Sequence, residues 1–125
     1  MDFTNVNYSI TRKDGRELTP FMTREQLEHL FNEVVDNEKK ILFSKNDEYS
    51  NSEQALSNFY EIAKIQETTP YVALWNLMSK HLYSVHKLVT SSGAGASREL
   101  IREKIGDTRN YLILLEALLL EKEVK

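Results

Sequence analysis

The chain has 125 residues, no cysteine, three histidines and a formal net charge of −3 at pH 7. This length suits one domain with a continuous core. The lack of cysteine excludes disulfides, thiolate metal sites and a cysteine nucleophile, and three scattered histidines do not form a zinc motif. Lysines and arginines are spread along the chain, so we expect no duplex nucleic acid partner.

Neither the start of the chain nor its interior suggests a membrane. The first residues, MDFTNVNYS, lack a basic start followed by an apolar run. No segment reaches the roughly 20 apolar residues that a spanning helix needs. We therefore expect a soluble, cytoplasmic protein with no membrane partner.

Residues 6–21, VNYSITRKDGRELTPF, contain a hairpin signal. Asp14 and Gly15 favour a tight turn between segments of β-prone residues. An isolated two-stranded ribbon is marginal in water, so the hairpin would lean on the helices or on another subunit. We predict an N-terminal β-hairpin arm over 1–22 and a helical domain over 23–125.

Thr23 followed by Gln26 forms a capping box, which predicts a first helix over 24–45. Its apolar residues recur at helical spacing: Leu27, Leu30, Phe31, Val34, Val35, Ile41 and Leu42. Glu38 stands where this pattern calls for an apolar residue. A carboxylate there is costly unless it is paired or metal-bound.

A polar turn follows, and a second helix is predicted over 52–66. Lys45, Glu48 and Tyr49 lie at the junction of the two helices. Helix ends can bring backbone groups and side chains together on a ligand, although a solvated turn is the alternative.

Thr69 and Pro70 form a cap followed by proline at the first helical position, which predicts a third helix over 70–89. His81 lies on its apolar seam. Such a histidine is either a hydrogen-bonded core residue or a ligand-binding residue, and Lys80 beside it allows a basic patch.

A fourth helix is predicted over 97–121, with Ser97 as its cap. Glu99, Glu103 and Asp107 recur every four residues beside its apolar stripe. Like charges at this spacing repel. This acid column therefore predicts a counter-charge, from lysines of another helix or from a divalent cation, or else exposure to solvent.

The C-terminal half of this helix is apolar almost all round, with Glu116 the one polar interruption between residues 112 and 120. A helix that is apolar on every side is normally buried. Four helices of one small chain hardly cover it. We therefore predict an all-α fold, an antiparallel four-helix bundle, that forms a homodimer or a higher homo-oligomer through this half.

Three segments together resemble a known family: KNDEYSNSEQALSNF (45–59), ALWNLMSKH (73–81) and ELIREKIGDTRNYLILL (99–115). They resemble the phage and prophage proteins called nucleotide-modification-associated, which are similar to the MazG-like all-α nucleoside triphosphate pyrophosphohydrolases. The resemblance covers about residues 35–118. It implies a four-helix bundle, a homo-oligomer and the cytoplasm of a bacterial host cell.

The resemblance also implies a nucleotide site. Its predicted nucleotide-binding residues are Lys45, Glu48, Tyr49, Asn58, Lys80, His81 and Asn110. Acids on two helices would hold magnesium against a triphosphate, and the predicted ligands are Glu38, Glu99, Glu103 and Asp107. A metal-bound water would then attack phosphorus, with Glu38, Glu103 and Asp107 as the catalytic residues.

Two functions remain open beside a purely structural bundle. The first is a magnesium-dependent nucleotide-binding protein, with or without hydrolysis that releases pyrophosphate. The enzymes' ExxD spacing is not matched, because Lys104 stands three residues before Asp107. The second is a phage accessory or anti-defence protein that binds a host protein or sequesters a signalling nucleotide.

Overall fold

The computed structural model of the chain describes residues 10–11, 17–18, 22–49 and 53–121. The secondary-structure elements are β1 (Ile10–Thr11), β2 (Glu17–Leu18), α1 (Arg24–Tyr49), α2 (Ser57–Gln66), α3 (Pro70–Thr90) and α4 (Arg98–Leu120). Four helices therefore dominate the described chain, which confirms the predicted all-α class. Over those residues, no helix is both long and apolar enough to cross a bilayer.

The two strands pair antiparallel, with Ile10 opposite Leu18 and Thr11 opposite Glu17. The turn predicted between them, at residues 14 and 15, lies outside the described residues. The hairpin arm and the domain boundary after it stay predictions.

Side-chain caps begin three of the helices where the sequence predicts them. At the start of α1 the Thr23 N–H donates to Gln26 Oε1 (2.8 Å), and the Gln26 N–H donates to Thr23 Oγ1 (3.1 Å). Thr69 and Ser97 accept hydrogen bonds from backbone N–H groups three residues further on, at 3.3 and 3.0 Å. Each cap satisfies N–H groups that the first helical turn leaves unpaired.

The junction between α1 and α2 differs from the prediction. The first helix continues to Tyr49, and the second begins at Ser57 rather than at residue 52. The Asn46 side chain, near the end of α1, donates a hydrogen bond to the backbone oxygen of Ala55 (2.6 Å). This bond holds Ala55 in a turn directly before α2. The helix therefore begins after this turn, at Ser57.

The hydrophobic core is built by α2, α3 and α4. Phe59, Leu74 and Leu118, one from each of these helices, are 3%, 0% and 0% exposed. The apolar residues packed against them are Leu56, Tyr71, Leu77, Tyr111, Leu114 and Leu115. In α1, by contrast, Glu38 is the one residue with a described side chain that is buried. The first helix therefore lies on the outside of the core.

Ion pairs attach α1 to α4. Glu33 accepts a hydrogen bond from Arg102 at 2.8 Å, and Glu38 accepts one from Arg109. Lys45, further along α1, faces Asp107 at 3.9 Å. Polar contacts of this kind link α1 to α4, and the antiparallel order of the bundle stays a prediction.

Much of the apolar stripe of α1 is uncovered. Phe31 and Phe43 are 65% and 56% exposed, and Leu112 and Ile113 of α4 are 50% and 47% exposed. These side chains line an open groove of about 770 Å³ between the two helices. We call it the α1–α4 groove. The apolar residues of α1 thus lie on one face of the helix, as the sequence predicts, but much of that face is exposed.

Candidate functional site

A cavity of about 360 Å³, the interhelical cavity, lies between all four helices. Its polar lining comprises Lys45, Asn46, Asn58, His81, Asp107 and Asn110. Its apolar and aromatic lining comprises Leu42, Phe59, Ile62, Leu77, Tyr111 and Leu114. An apolar pocket of this size with a few converging polar groups is typical of small-molecule sites.

Asp107 lies between two basic groups in this cavity. Its Oδ2 is 3.6 Å from Nδ1 of His81, and its Oδ1 is 3.9 Å from Nζ of Lys45. The Asp107 side chain is 19% exposed, whereas that of Lys45 is 61% exposed. Both distances exceed those of a direct hydrogen bond. A water molecule or a ligand group can therefore bridge these side chains.

Aromatic rings form part of the wall. The rings of His81 and Tyr111 have centroids 4.9 Å apart and are inclined at 31°. Phe59 is part of the same lining and is buried. Flat aromatic surfaces of this kind stack on planar ligand groups.

Asn110 carries an unsatisfied acceptor. The residue is 8% exposed, and its side-chain oxygen Oδ1 is buried with no hydrogen-bond partner among the described residues. Leaving such a group unpaired costs about 1–3 kcal/mol. Asn110 lines both the interhelical cavity and the α1–α4 groove. A ligand that supplies an N–H or O–H donor would satisfy this oxygen.

Five of the predicted site residues converge here, since Lys45, Asn58, His81, Asp107 and Asn110 all line the cavity. Asn46 also lines the cavity, although the sequence does not predict it as a site residue. Nothing in the local pattern marks Asn46 as different from other helix-end polar residues.

The other predicted nucleotide-binding residues do not join this group. Glu48 and Lys80 are exposed and do not line the cavity. The side chain of Tyr49 lies outside the described part of the structure.

Glu38 faces an arginine, not the acid column. Its carboxylate is bonded to Arg109 and lies against Gly106, in the wall of the α1–α4 groove. The sequence predicts that this acid needs a partner, and the guanidinium group of Arg109 is that partner. Among the described residues, Glu38 does not form a group with Glu103 and Asp107 that could hold a metal ion.

The remaining acids of the column separate as the helix turns. Glu99 and Glu103 are exposed, and Asp107 faces the cavity. Among the described residues, no group of three or more His, Asp or Glu side chains could hold a metal ion. Magnesium needs several oxygen ligands around one point. The predicted ligand set of Glu38, Glu99, Glu103 and Asp107 does not fit that requirement.

Glu33 forms the second attachment of α1. Its carboxylate is bonded to Arg102 at 2.8 Å and lies 3.7 Å from Arg98. The hydrogen bond from Arg102 is the main reason why the pKa of Glu33 is lowered from 4.5, and the same bond raises the pKa of Arg102. These groups lie outside the cavity lining and hold the helix that carries Lys45.

Comparisons of the chain with protein-family models, with curated proteins and with solved structures found no significant match. The resemblance to the MazG-like family therefore stays a prediction from short motifs.

Proposed function

We propose that this protein binds a nucleotide, or a small molecule derived from one, in the interhelical cavity. The observation that carries this proposal is the convergence of five predicted site residues in the wall of one cavity: four predicted to bind the nucleotide, and Asp107, predicted as a metal ligand. They come from all four helices, so no local sequence pattern alone would bring them together. The volume of the cavity is within the range of small-molecule pockets.

The distribution of polarity suggests how such a ligand is oriented. Lys45 is the most exposed of the three interacting side chains and supplies a point charge for a phosphate group. The aromatic and aliphatic lining suits a base, and the two asparagines, Asn58 and Asn110, offer amide groups to its polar edge.

Asp107 has a positioning role in this proposal. Its carboxylate faces both Lys45 and His81, so it holds two basic groups on the same side of the cavity. A ligand phosphate would accept hydrogen bonds from Lys45, which Asp107 keeps in place, and a sugar hydroxyl would donate to the Asp107 carboxylate.

The proposal is binding without hydrolysis. Glu38 is bonded to Arg109, and Asp107 faces two basic groups. Neither carboxylate is arranged to share a metal ion with Glu99 or Glu103. In this proposal, nucleotide binding does not depend on a magnesium ion held by the protein. We therefore expect binding to persist in the presence of a chelator.

A thermal-shift panel of nucleoside mono- and triphosphates tests this proposal. Binding at a ligand concentration about 100 times Kd stabilises a protein by about 2.7 kcal/mol, which is a readily measured rise in Tm. Asp107→Ala should lose that rise. Glu103→Ala removes an exposed acid one turn away and should keep it. No rise with any nucleotide, or an equal rise in both variants, contradicts the proposal.

The accessory-protein prediction is a second candidate, favoured by the exposed apolar groove. Sequestration of a signalling nucleotide would use the interhelical cavity, whereas inhibition of a host protein would use an exposed apolar surface. We also propose that the chain acts as a homo-oligomer, because Leu119 and Leu120, near the end of α4, are 58% and 44% exposed.

A further inference from the structure

The geometry points to a specific homodimer. Two copies pair face to face through the α1–α4 groove around a twofold axis, and Lys39 of each copy lies opposite Glu116 of the other. This interface involves α1 as well as α4, and it does not depend on the ligand that the interhelical cavity takes.

The first observation is the exposed apolar area. Leu27 is 56% exposed and Phe31 is 65% exposed on one wall of the groove, and Leu112 and Ile113 are about half exposed on the other. Soluble monomers rarely leave a contiguous apolar patch of this kind open. A partner that covers it must itself be largely apolar.

The second observation is the charge pattern of the groove. It contains two acids and two bases, and Glu38 is paired with Arg109. Lys39 and Glu116 are exposed, and neither forms an ion pair with any other described residue. Among the described residues, the groove thus presents one positive and one negative group without an ion-pair partner, beside the Glu38–Arg109 pair and Asn110.

A second copy of the chain matches this pattern. Contacts across a twofold axis are reciprocal: if residue i of one copy contacts residue j of the other, then residue j of the first copy also contacts residue i of the second. One Lys39–Glu116 contact therefore generates its symmetric counterpart, and both charges of each copy are paired. A strongly acidic partner would repel Glu116, and a strongly basic partner would repel Lys39.

Sedimentation equilibrium of the full chain provides the first test. The wild-type protein should be a dimer at micromolar concentration, and Ile113→Glu should be mostly monomeric. Ile65→Glu is the matched control, because Ile65 is 83% exposed at the end of α2 and lies outside the groove. This variant should remain dimeric, and circular dichroism should show equal helix content in all three proteins.

Charge reversal provides the second test. Lys39→Glu and Glu116→Lys should each raise the dimer Kd roughly tenfold, because each places two like-charged pairs in one interface. The double variant should restore the wild-type Kd. A residue that only supports the monomer fold would not show this recovery.

Several results would overturn the inference. A monomeric wild type that becomes dimeric when residues 1–21 are deleted would make the N-terminal segment the occupant of the groove. If the wild type stayed monomeric with or without those residues, no second copy would cover the groove, and the inference would be wrong. A dimer that survives Ile113→Glu would place the interface elsewhere, and failure of the double reversal to recover would refute the Lys39–Glu116 pairing.

Discussion

The carboxylate of Glu38 occupies the space that a side chain at residue 106 would need. A Cβ atom on Gly106 would lie 2.6 Å from Oε1 of Glu38. Glycine is otherwise unfavourable inside a helix, by about 1 kcal/mol relative to alanine. Its presence in the middle of α4 is explained by the close approach of Glu38 and by the ion pair with Arg109.

This relationship predicts opposite effects of one substitution in two backgrounds. Gly106→Ala should destabilise the wild type by about 1–2 kcal/mol, because the displaced Glu38 strains its bond to Arg109. In a Glu38→Ala background the same change should stabilise by about 1 kcal/mol, since only the helix propensity remains. Urea unfolding of the four proteins measures both values. Equal effects in both backgrounds would refute the steric account.

Glu33 should make stability depend on acid pH. Its folded-state pKa is lowered from 4.5, mainly by the hydrogen bond from Arg102. The resulting stabilisation is present above the ordinary pKa and is lost as the pH falls through the folded-state value. The free energy of unfolding should therefore decrease less for Glu33→Gln than for the wild type as the pH is lowered from neutral to about 3. Urea unfolding at a series of pH values measures it.

The control for this measurement is Glu28→Gln, which removes a carboxylate from an exposed pair with Arg24 on the same helix. If both variants had the same acid dependence, the contact between Glu33 and Arg102 would not be the source of the effect.

Asn110 should separate stability from binding. Asn110→Leu removes the unpartnered buried Oδ1 and keeps a similar volume, so the free energy of unfolding should stay equal or rise by about 1 kcal/mol. Ligand affinity should fall at least about tenfold, since one polar contact is lost. Asn76→Leu, the same change at an exposed position of α3, should leave ligand affinity unchanged and alter the free energy of unfolding by only about 0.5 kcal/mol. A large loss of stability in Asn110→Leu would instead indicate a structural role.

The sequence predicted the features that depend on local contacts. Thr23, Thr69 and Ser97 mark helix starts because each bonds to N–H groups within its own first turn. The later start of α2 could not be predicted in this way. It follows from a bond between the Asn46 side chain and Ala55, residues on either side of the junction.

The candidate site was only half predictable for a related reason. Residues four apart on a helix are separated by about 400° of rotation, so an acid column turns by about 40° at each step. Over two steps Asp107 moves towards the cavity while Glu99 stays at the surface. Spacing alone therefore predicts neighbouring carboxylates that need a counter-charge, but not the arginine that pairs with Glu38, nor which lysine faces Asp107.

Calorimetric titration of the protein with nucleotides, in the presence of a chelator, tests the central claim most directly. The comparison is between the wild type, Lys45→Glu in the cavity, and Lys40→Glu on the exposed surface of the same helix. We predict one binding site per chain in the wild type, unchanged affinity in Lys40→Glu, and at least about a tenfold loss in Lys45→Glu. Absence of binding by the wild type, or equal affinity in both charge-reversal variants, would contradict a nucleotide site in the interhelical cavity.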